Sequence, residues 1–444
     1  MSQDHIFHRT LRAHWPKISH GRGVYLYDTE GREYIDACAG VHVVSIGHAV
    51  PEIVEAMADQ ASRVSFTYGR FLTQPQIDLA DNIVAQTPAG LNRVFFISGG
   101  SEATEAAMKI ARTYHVETGN PEKYRIISRW QSWHGNTIGA MSMSGRTAWR
   151  KDYGPYVQNF PHISPPIPYH CAYCQRHGAC TLQCADELER VIHQEGAHNI
   201  AAFIAEPILG TSAAGVTPPP DYYPRIREIC DRHNILMIVD EVVTGFGRTG
   251  IEFAIQHWGV TPDIICTGKG LSSGYTPIAA TVTHERIYDA IYQKAKSFVH
   301  GHTYGGNPLS CAVALAVQHY VQQHDLVARC AQMGERMLAR LKPLEELPIV
   351  GEVRGKGLLI GIEFVADKES HAPFDPGLGI TARVVDKAFE QGVLVMPGAP
   401  GLVDGVAGDH IAISPPFTVT EDQVQQVVDV LAASIHTVAG ELGY

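Results

Sequence analysis

The chain lacks any apolar run that approaches the roughly 18–20 residues needed to cross a bilayer, so we expect no membrane-spanning helix. It also lacks an excess of positive charge, since 35 Lys and Arg stand against 46 Asp and Glu and give a net charge of −11. An acidic surface argues against nucleic acid or an anionic membrane as the main partner. The polar segment from Met1 to Pro16 lacks the apolar core of a signal peptide.

Cysteine is sparse and odd in number, with nine residues, most of them in apolar surroundings. This usage favours a reducing cytoplasm, and we expect a cytoplasmic protein. One cluster stands apart, Cys171-x2-Cys174-x5-Cys180-x3-Cys184. Four thiols at this distance could hold zinc, but their spacing matches no regular pair of Cys-x2-Cys knuckles. We favour a surface loop with partly buried thiols and predict no metal in the functional site.

The totals predict a soluble globular enzyme with two domains. The 444 residues are too many for one small core, and the hydrophobic fraction of 45% with 18% charged residues is ordinary for such a protein. We expect residues 1–54 to form an N-terminal segment that packs with the smaller domain. Residues 55–325 would form the large domain and residues 326–444 a small C-terminal α+β domain. The boundary is placed within one long predicted helix that runs from Asn307 to about Leu341.

Short apolar runs alternate with helical patterns between about residues 90 and 310, which predicts a parallel sheet buried on both faces. The helices are predicted at residues 102–117 and 222–233 from apolar positions at helical spacing. The final helix is predicted to begin at Thr420 with a capping box to Gln423. The predicted strands are residues 93–98, 124–128, 200–205, 236–242, 263–266 and 278–283.

Lys269 lies between two glycines just after an apolar run, Ile264-Ile265-Cys266. Its backbone is free to place the amine in a cleft, where it could act as a phosphate clamp or as an imine-forming nucleophile, or it could be a solvated loop residue. Asp240 closes the apolar strand that begins at Leu236. Ligands of α/β sheets bind outside the carboxyl ends of the strands, so this carboxylate could face a cationic ligand atom. Its alternative role is to cap the next helix.

Two further motifs follow predicted strands. Ser98-Gly99-Gly100-Ser101 opens a helix, where glycines and the helix N-terminus favour an anion. The motif at residues 98–101 is not a Walker loop. The segment around Lys269 is not one either, because Gly270 follows Lys269 where such a loop needs Ser or Thr. Trp133 could stack on a flat ring or simply cap the core. His134 beside it is more typical of a hydrogen-bonded structural histidine than of a general base.

These features together point to pyridoxal 5′-phosphate (PLP). The cofactor needs a lysine to form an imine, a carboxylate to keep its pyridine nitrogen protonated, a phosphate cup and an aromatic ring face. The chain then resembles a class III (ω) aminotransferase of the fold-type I PLP-dependent enzymes. The motifs that carry the resemblance span most of the chain: Ser98-Gly-Gly-Ser-Glu-Ala103, Ser132-Trp-His-Gly135, Ala205-Glu-Pro207, Asp240-Glu-Val-Val-Thr-Gly-Phe-Gly-Arg-Thr-Gly250, Gly268-Lys-Gly270 and His302-Thr-Tyr304.

The resemblance implies a large PLP-binding domain with a mostly parallel seven-stranded sheet, and a homodimer with shared active sites. Lys269 would be the Schiff-base lysine and the general base, with Asp240 paired to the pyridine nitrogen. Val242 would cover the ring face opposite Trp133, and Glu206 would lie near the cofactor, where it can pair with a substrate-facing arginine. The remaining cofactor contacts would come from Gly99, Gly100, Ser101, His134 and, from the second subunit, Thr303.

Two departures from the family concern the pocket. Val243 stands where many relatives have a glutamine that bonds the cofactor's phenolic oxygen. Several relatives also bind the substrate carboxylate through a C-terminal arginine, which would fall at Ala412 or around Gly405, whereas the last arginine here is Arg383. We hypothesise that Arg70 meets an anionic substrate group, although a solvated or interfacial arginine is the simpler interpretation.

The implied activity is transfer of an amino group from a primary amine or ω-amino acid to a keto acid, pyruvate or 2-oxoglutarate, through the Lys269 Schiff base. The alternative is a PLP-dependent ammonia-lyase or decarboxylase of the same family that acts on an anionic amine. A non-enzymatic protein would have no need of Lys269 and Asp240 together.

Overall fold

The computed structural model describes residues 5–10, 15–171, 173–174, 179–295 and 297–444. Within these ranges it has fifteen strands, numbered in chain order: β1 (Ile18–Arg22), β2 (Tyr25–Asp28), β3 (Glu33–Asp36), β4 (Leu91–Ile97), β5 (Arg125–Arg129), β6 (His162–Ile163), β7 (Ile200–Ala205), β8 (Leu236–Asp240), β9 (Ile264–Thr267), β10 (Ala279–His284), β11 (Val350–Lys356), β12 (Leu359–Phe364), β13 (Val393–Leu394), β14 (Met396–Pro397) and β15 (Asp409–Ile413).

The same ranges also contain α-helices of six or more residues. They are Pro51–Arg63, Gln74–Gln86, Gly100–Glu117, Ile138–Met143, Gln183–Glu195, Tyr222–Arg232, Glu285–Lys294, Pro308–Gln323, Leu326–Leu341, Ile380–Glu390 and Glu421–Glu441. No helix in the described part of the chain has both the length and the apolar character needed to cross a bilayer.

The central sheet has seven strands in the order β4-β10-β9-β8-β7-β5-β6. The pairs from β9 to β6 are parallel, and β10 alone runs antiparallel to both of its neighbours. Successive residues of β8 point to opposite faces: Met237 and Val239 join one buried cluster, and Leu236 and Ile238 join the other. The prediction of a mostly parallel sheet buried on both faces is therefore confirmed.

Two smaller sheets have four strands each, with the orders β1-β2-β3-β13 and β11-β12-β15-β14. The N-terminal segment joins the C-terminal region because β3 pairs in parallel with β13. A single core cluster links the two, from Ile35 and Ile46 to Ile411 and Leu431.

The prediction of one long helix from Asn307 to Leu341 is wrong. Two helices, Pro308–Gln323 and Leu326–Leu341, are separated at Asp325, whose backbone is left-handed with φ 50°. The break coincides with the predicted domain boundary. Further along the chain, the neighbouring short strands β13 and β14 belong to different sheets. The capping box at Thr420 and Gln423 is present as predicted.

Candidate active site

Five strands of the central sheet end at the same edge, and each is followed by a predicted site residue. This is the geometry expected for a ligand site of an α/β sheet, because the carboxyl ends of parallel strands meet there. The strands and the residues that close or follow them are β4 with Gly99 to Ser101, β5 with Trp133 and His134, β7 with Glu206, β8 with Asp240, and β9 with Lys269.

A cavity of about 180 Å³ lies at this edge. Of the predicted site residues, those that line it are Gly100, Ser101, Trp133, His134, Glu206, Asp240, Val242 and Lys269. Gly135 and Val243 line it as well and were not predicted as contacts. The structure thus brings most of the predicted side chains together, although they come from segments spread over about 170 residues of the chain.

Lys269 begins a short 3-10 turn, Lys269–Leu271, with its own backbone in the left-handed region at φ 43°. This turn brings the lysine to the cavity wall. Desolvation, with smaller contributions from Arg146 and Arg248, lowers the pKa of its amine to about 8 against the opposing effect of Asp240 and Glu206. A lower pKa increases the uncharged fraction of the amine near neutral pH, and the uncharged amine is the nucleophile.

Asp240 is fixed by two hydrogen bonds and is only 4% exposed. Its Oδ2 lies 2.8 Å from His134 Nδ1, and its Oδ1 accepts from Val242 N at 3.1 Å. A carboxylate only accepts, so His134 Nδ1 is the donor. His134 is itself buried, and its Nε2 has no partner among the described residues. His134 therefore positions Asp240, which agrees with the structural role favoured from the sequence.

The phosphate cup predicted from the sequence is the N-terminus of the helix Gly100–Glu117. Gly99 precedes it in extended conformation, and no side chain caps the helix. Within the described ranges, no group accepts from Gly100 N or Ser101 N, so these donors are free for an anion. Asn136 N donates to Ser101 Oγ at 2.9 Å. A Cβ at Gly135, whose φ is 134°, would lie 2.5 Å from the same oxygen.

Trp133 is held at the cavity through its backbone, because its N–H donates to Glu206 Oε1 at 2.9 Å. The other oxygen of Glu206 accepts from Gly210 N at 2.9 Å. Arg146 lies over the indole, with Cζ 4.6 Å from the ring centroid. Sequence reasoning missed Arg146, because its place follows from contacts with Thr211 and Ser212, which are distant in sequence.

Three predicted residues do not line the cavity of their own chain: Gly99, which directly precedes Gly100, and the residues Arg70 and Thr303. Thr303 and Arg70 are both exposed and do not line it. They lie near exposed apolar side chains on two loops, and Phe66 contacts Tyr304 edge-to-face with centroids 5.9 Å apart. The exposed patch consists of Phe66, Tyr68, Phe71, Leu72 and Tyr304.

The cysteine cluster lines a separate pocket outside the cavity. Cys171, Cys174, Cys180 and Cys184 all contribute to it, with Cys184 buried and Cys180 exposed. In the described part of the chain, the one group of three potential metal ligands whose ligand atoms all lie within 4.8 Å of one another is Glu189, His193 and His233.

The residues at the sheet edge fit PLP. The buried carboxylate of Asp240 and the amine of Lys269 line one cavity. The free N–H groups of Gly100 and Ser101 suit a phosphate, and a Cβ on Gly99 would meet only open space. Val242 and Trp133 supply apolar surfaces for a flat ring.

Comparison with known proteins agrees with this chemistry. The sequence profile of the class III aminotransferases matches residues 8–435. The uncharacterized aminotransferase YodT of Bacillus subtilis (strain 168) is 39% identical over 434 residues, 97% of each chain.

Solved transaminase structures are similar over nearly the whole chain. An amine transaminase from an uncultivated Pseudomonas species, in its PLP-bound form, has a TM-score of 0.90 at 36% identity over 98% of this chain and 99% of that chain. An (S)-enantioselective ω-transaminase from Thermomicrobium roseum has a TM-score of 0.89 at 36% identity over 96% and 93%. The fold is that of the fold-type I PLP-dependent transaminases, and the chain belongs to the class III aminotransferase family.

Proposed function

We propose that the protein moves an amino group from a primary amine or ω-amino acid to a keto acid, pyruvate or 2-oxoglutarate, with PLP bound at the edge of the central sheet. The observation that carries the proposal is that Lys269 and Asp240 line the same cavity, beside a helix N-terminus with free N–H groups. When bound, PLP supplies an electron sink that stabilises negative charge at the substrate carbon next to nitrogen.

Lys269 would hold the cofactor covalently and, once the substrate amine has displaced it, carry the proton. Its Nζ would accept the proton from the substrate carbon and would later donate a proton as the amino group is transferred. This task needs an amine whose pKa lies near the working pH, and desolvation in the cavity lowers the pKa of Lys269 to about 8.

Asp240 would hold a positive charge on the pyridine nitrogen through its fixed carboxylate. His134 orients that carboxylate with a bond of 2.8 Å, and Val242 N holds the other oxygen. Gly100 and Ser101 would donate to the phosphate, which also gains from the helix dipole. Val242 and Trp133 would enclose the ring from its two faces.

A second copy of the chain would complete the site. Support comes from the exposed patch of Phe66, Tyr68, Phe71, Leu72 and Tyr304, since contiguous exposed apolar surface marks interaction sites. Thr303 lies next to this patch in sequence and is exposed in its own chain. We therefore infer a homodimer in which Thr303 of one subunit binds the phosphate at the other.

Absorbance of the purified protein with PLP tests the proposal. The expected protein is yellow, loses its absorbance band when a primary amine or ω-amino acid is added, and recovers it with pyruvate or 2-oxoglutarate. Release of ammonia without a keto acid would instead identify the lyase alternative, and release of carbon dioxide the decarboxylase. A protein that takes up no PLP contradicts all three activities.

A further inference from the structure

Arg146 is a buried guanidinium that has no carboxylate partner among the described residues. The residue is 8% exposed, and within the described ranges no carboxylate oxygen lies within 4.0 Å of it. Its Nε donates to Ser212 Oγ at 2.8 Å and its Nη2 donates to Thr211 Oγ1, both of them neutral hydroxyls. A buried charge is costly unless it is paired, so an arginine held here only by neutral hydroxyls is suited to bind an anion.

The guanidinium lies next to the active-site cavity. Its Cζ is 4.6 Å from the ring centroid of Trp133, which lines that cavity, and 5.5 Å from the ring of Trp149. Its charge is also felt by the site, since Arg146 lowers the pKa of Lys269 and the charge of Glu206 raises the pKa of Arg146. Burial lowers the pKa of Arg146 itself to about 10, so the side chain is protonated at neutral pH.

Thr211, which holds Arg146, and Thr147, which follows it, both lie beside the C-terminal loop that contains Ala399 and Gly405 and has no arginine. Ala399 N donates to Thr211 O at 3.0 Å. A Cβ on Gly405 would lie 2.8 Å from the hydroxyl oxygen of Thr147, the residue that follows Arg146. Arg146 thus approaches, from a different segment of the chain, the loop that contains no cation of its own.

We propose that Arg146 binds the carboxylate of the substrate, both in the keto-acid acceptor and in an ω-amino acid donor; this inference rests on the proposed function. A guanidinium has five N–H donors, and two are used by Ser212 and Thr211. The other three can bind a carboxylate in the fork geometry typical of arginine. Trp133 and Trp149 keep the guanidinium plane fixed by stacking, which reduces the entropy lost when the carboxylate binds.

Binding of butanoate to the PLP-loaded enzyme tests this role without any turnover, because butanoate has a carboxylate but no amine. We compare wild type, R146Q, R146K and the control R150Q by titration calorimetry. Arg150 suits the control since it is four residues away, half-buried and stacked on Trp130 rather than Trp133. In parallel, the KM for pyruvate and the single-turnover rate with butylamine, which has no carboxylate, are measured for each protein.

R146Q is expected to bind butanoate about 10- to 100-fold more weakly than wild type, as loss of a charge-assisted bond implies. Its KM for pyruvate should rise similarly, while the rate with butylamine should change far less, by the smaller effect of Arg146 on the pKa of Lys269. All properties of R150Q should match those of wild type. R146K keeps the charge but loses the fork, and should bind butanoate at least about 3-fold more weakly. It carries the test if R146Q does not fold.

The inference is overturned if the butanoate affinity of the Arg146 variants is unchanged. It is also overturned if the rate with butylamine falls by as large a factor as the KM for pyruvate rises. A wild-type protein that takes up no PLP refutes the proposed function itself. A wild type that binds PLP and reacts with butylamine, but whose butanoate affinity does not depend on Arg146, refutes the role of Arg146 alone.

Discussion

His134 Nδ1 donates to Asp240 Oδ2 at 2.8 Å, with both side chains almost fully buried. His134 follows β5 and Asp240 ends β8, two strands that β7 separates in the sheet, and the bond joins positions 106 residues apart. Since Asp240 is the carboxylate proposed to face the cofactor, the histidine should act through it rather than on the substrate.

The first prediction is that the effects of H134Q and D240N on turnover are strongly non-additive. D240N should lower kcat by about 10²- to 10³-fold, as loss of one preorganised charge does. H134Q should lower it less, by roughly tenfold, because the carboxylate remains but is less well oriented. The double variant should match D240N alone, since the histidine has no carboxylate left to position. Effects that simply multiply would show that His134 acts separately.

A second prediction concerns pH. Because the pKa of Lys269 is lowered to about 8, the amine is mostly protonated below pH 8 and mostly neutral above it. The rate at which PLP attaches to the apoenzyme should therefore rise through about pH 8 and level off above it. Stopped-flow absorbance measures this rate. A profile that is flat between pH 7 and 9 would contradict the lowered pKa, and K269R, which cannot attach PLP, serves as the blank.

The third prediction concerns the proposed phosphate cup and the effect of the variant G135A on PLP affinity. A Cβ at Gly135 would lie 2.5 Å from Ser101 Oγ and 2.7 Å from Ser101 Cα, so it must displace the residue proposed to bind the phosphate. PLP affinity should fall by at least about tenfold, equivalent to one hydrogen bond.

Gly119 provides the matched control. It also has positive φ, at 84°, but a Cβ there would meet nothing within 4 Å. G119A should lower thermal stability by about 1 kcal/mol from backbone strain and leave PLP affinity unchanged. Equilibrium titration measures PLP affinity. Equal affinity in G135A and G119A would refute the proposal that the phosphate binds at Gly100 and Ser101.

The fourth prediction is a dimer that depends on the exposed patch. Leu72 is 78% exposed and Tyr304 is 66% exposed. Wild type should be dimeric by light scattering at micromolar concentration, whereas L72E should dissociate because a charge is buried without a partner. Val406, which is 74% exposed and far from the patch in sequence, gives the control V406E, expected to remain dimeric. A monomeric wild type with full activity would rule out the shared site.

The sequence predicts the parts of this molecule that depend on local patterns. The strand ending at Asp240 and the helix opening at Gly100 follow from apolar runs and their boundaries. The break at Asp325 could not be predicted from such patterns, because helical periodicity continues on both sides of it. Asp325 is not a glycine, yet its backbone is left-handed. Such a conformation is fixed by packing of the flanking helices against the small-domain core.

The same limit applies to the site. Lys269, Asp240, Trp133 and the glycine cup could be predicted because each follows a strand of one sheet and so reaches one edge. Arg146 could not, since its position depends on hydroxyls of Thr211 and Ser212 and on the ring of Trp133. No spacing in the sequence encodes those contacts.

Lys269 is the residue proposed to hold PLP, and mass spectrometry of peptides after borohydride reduction of the PLP-loaded protein measures this attachment directly. Reduction makes the attachment permanent, so the modified peptide reveals the lysine. The added mass is expected on Lys269 and should be absent in K269A. Modification of a different lysine such as Lys109 or Lys123, with Lys269 left unmodified, would contradict it.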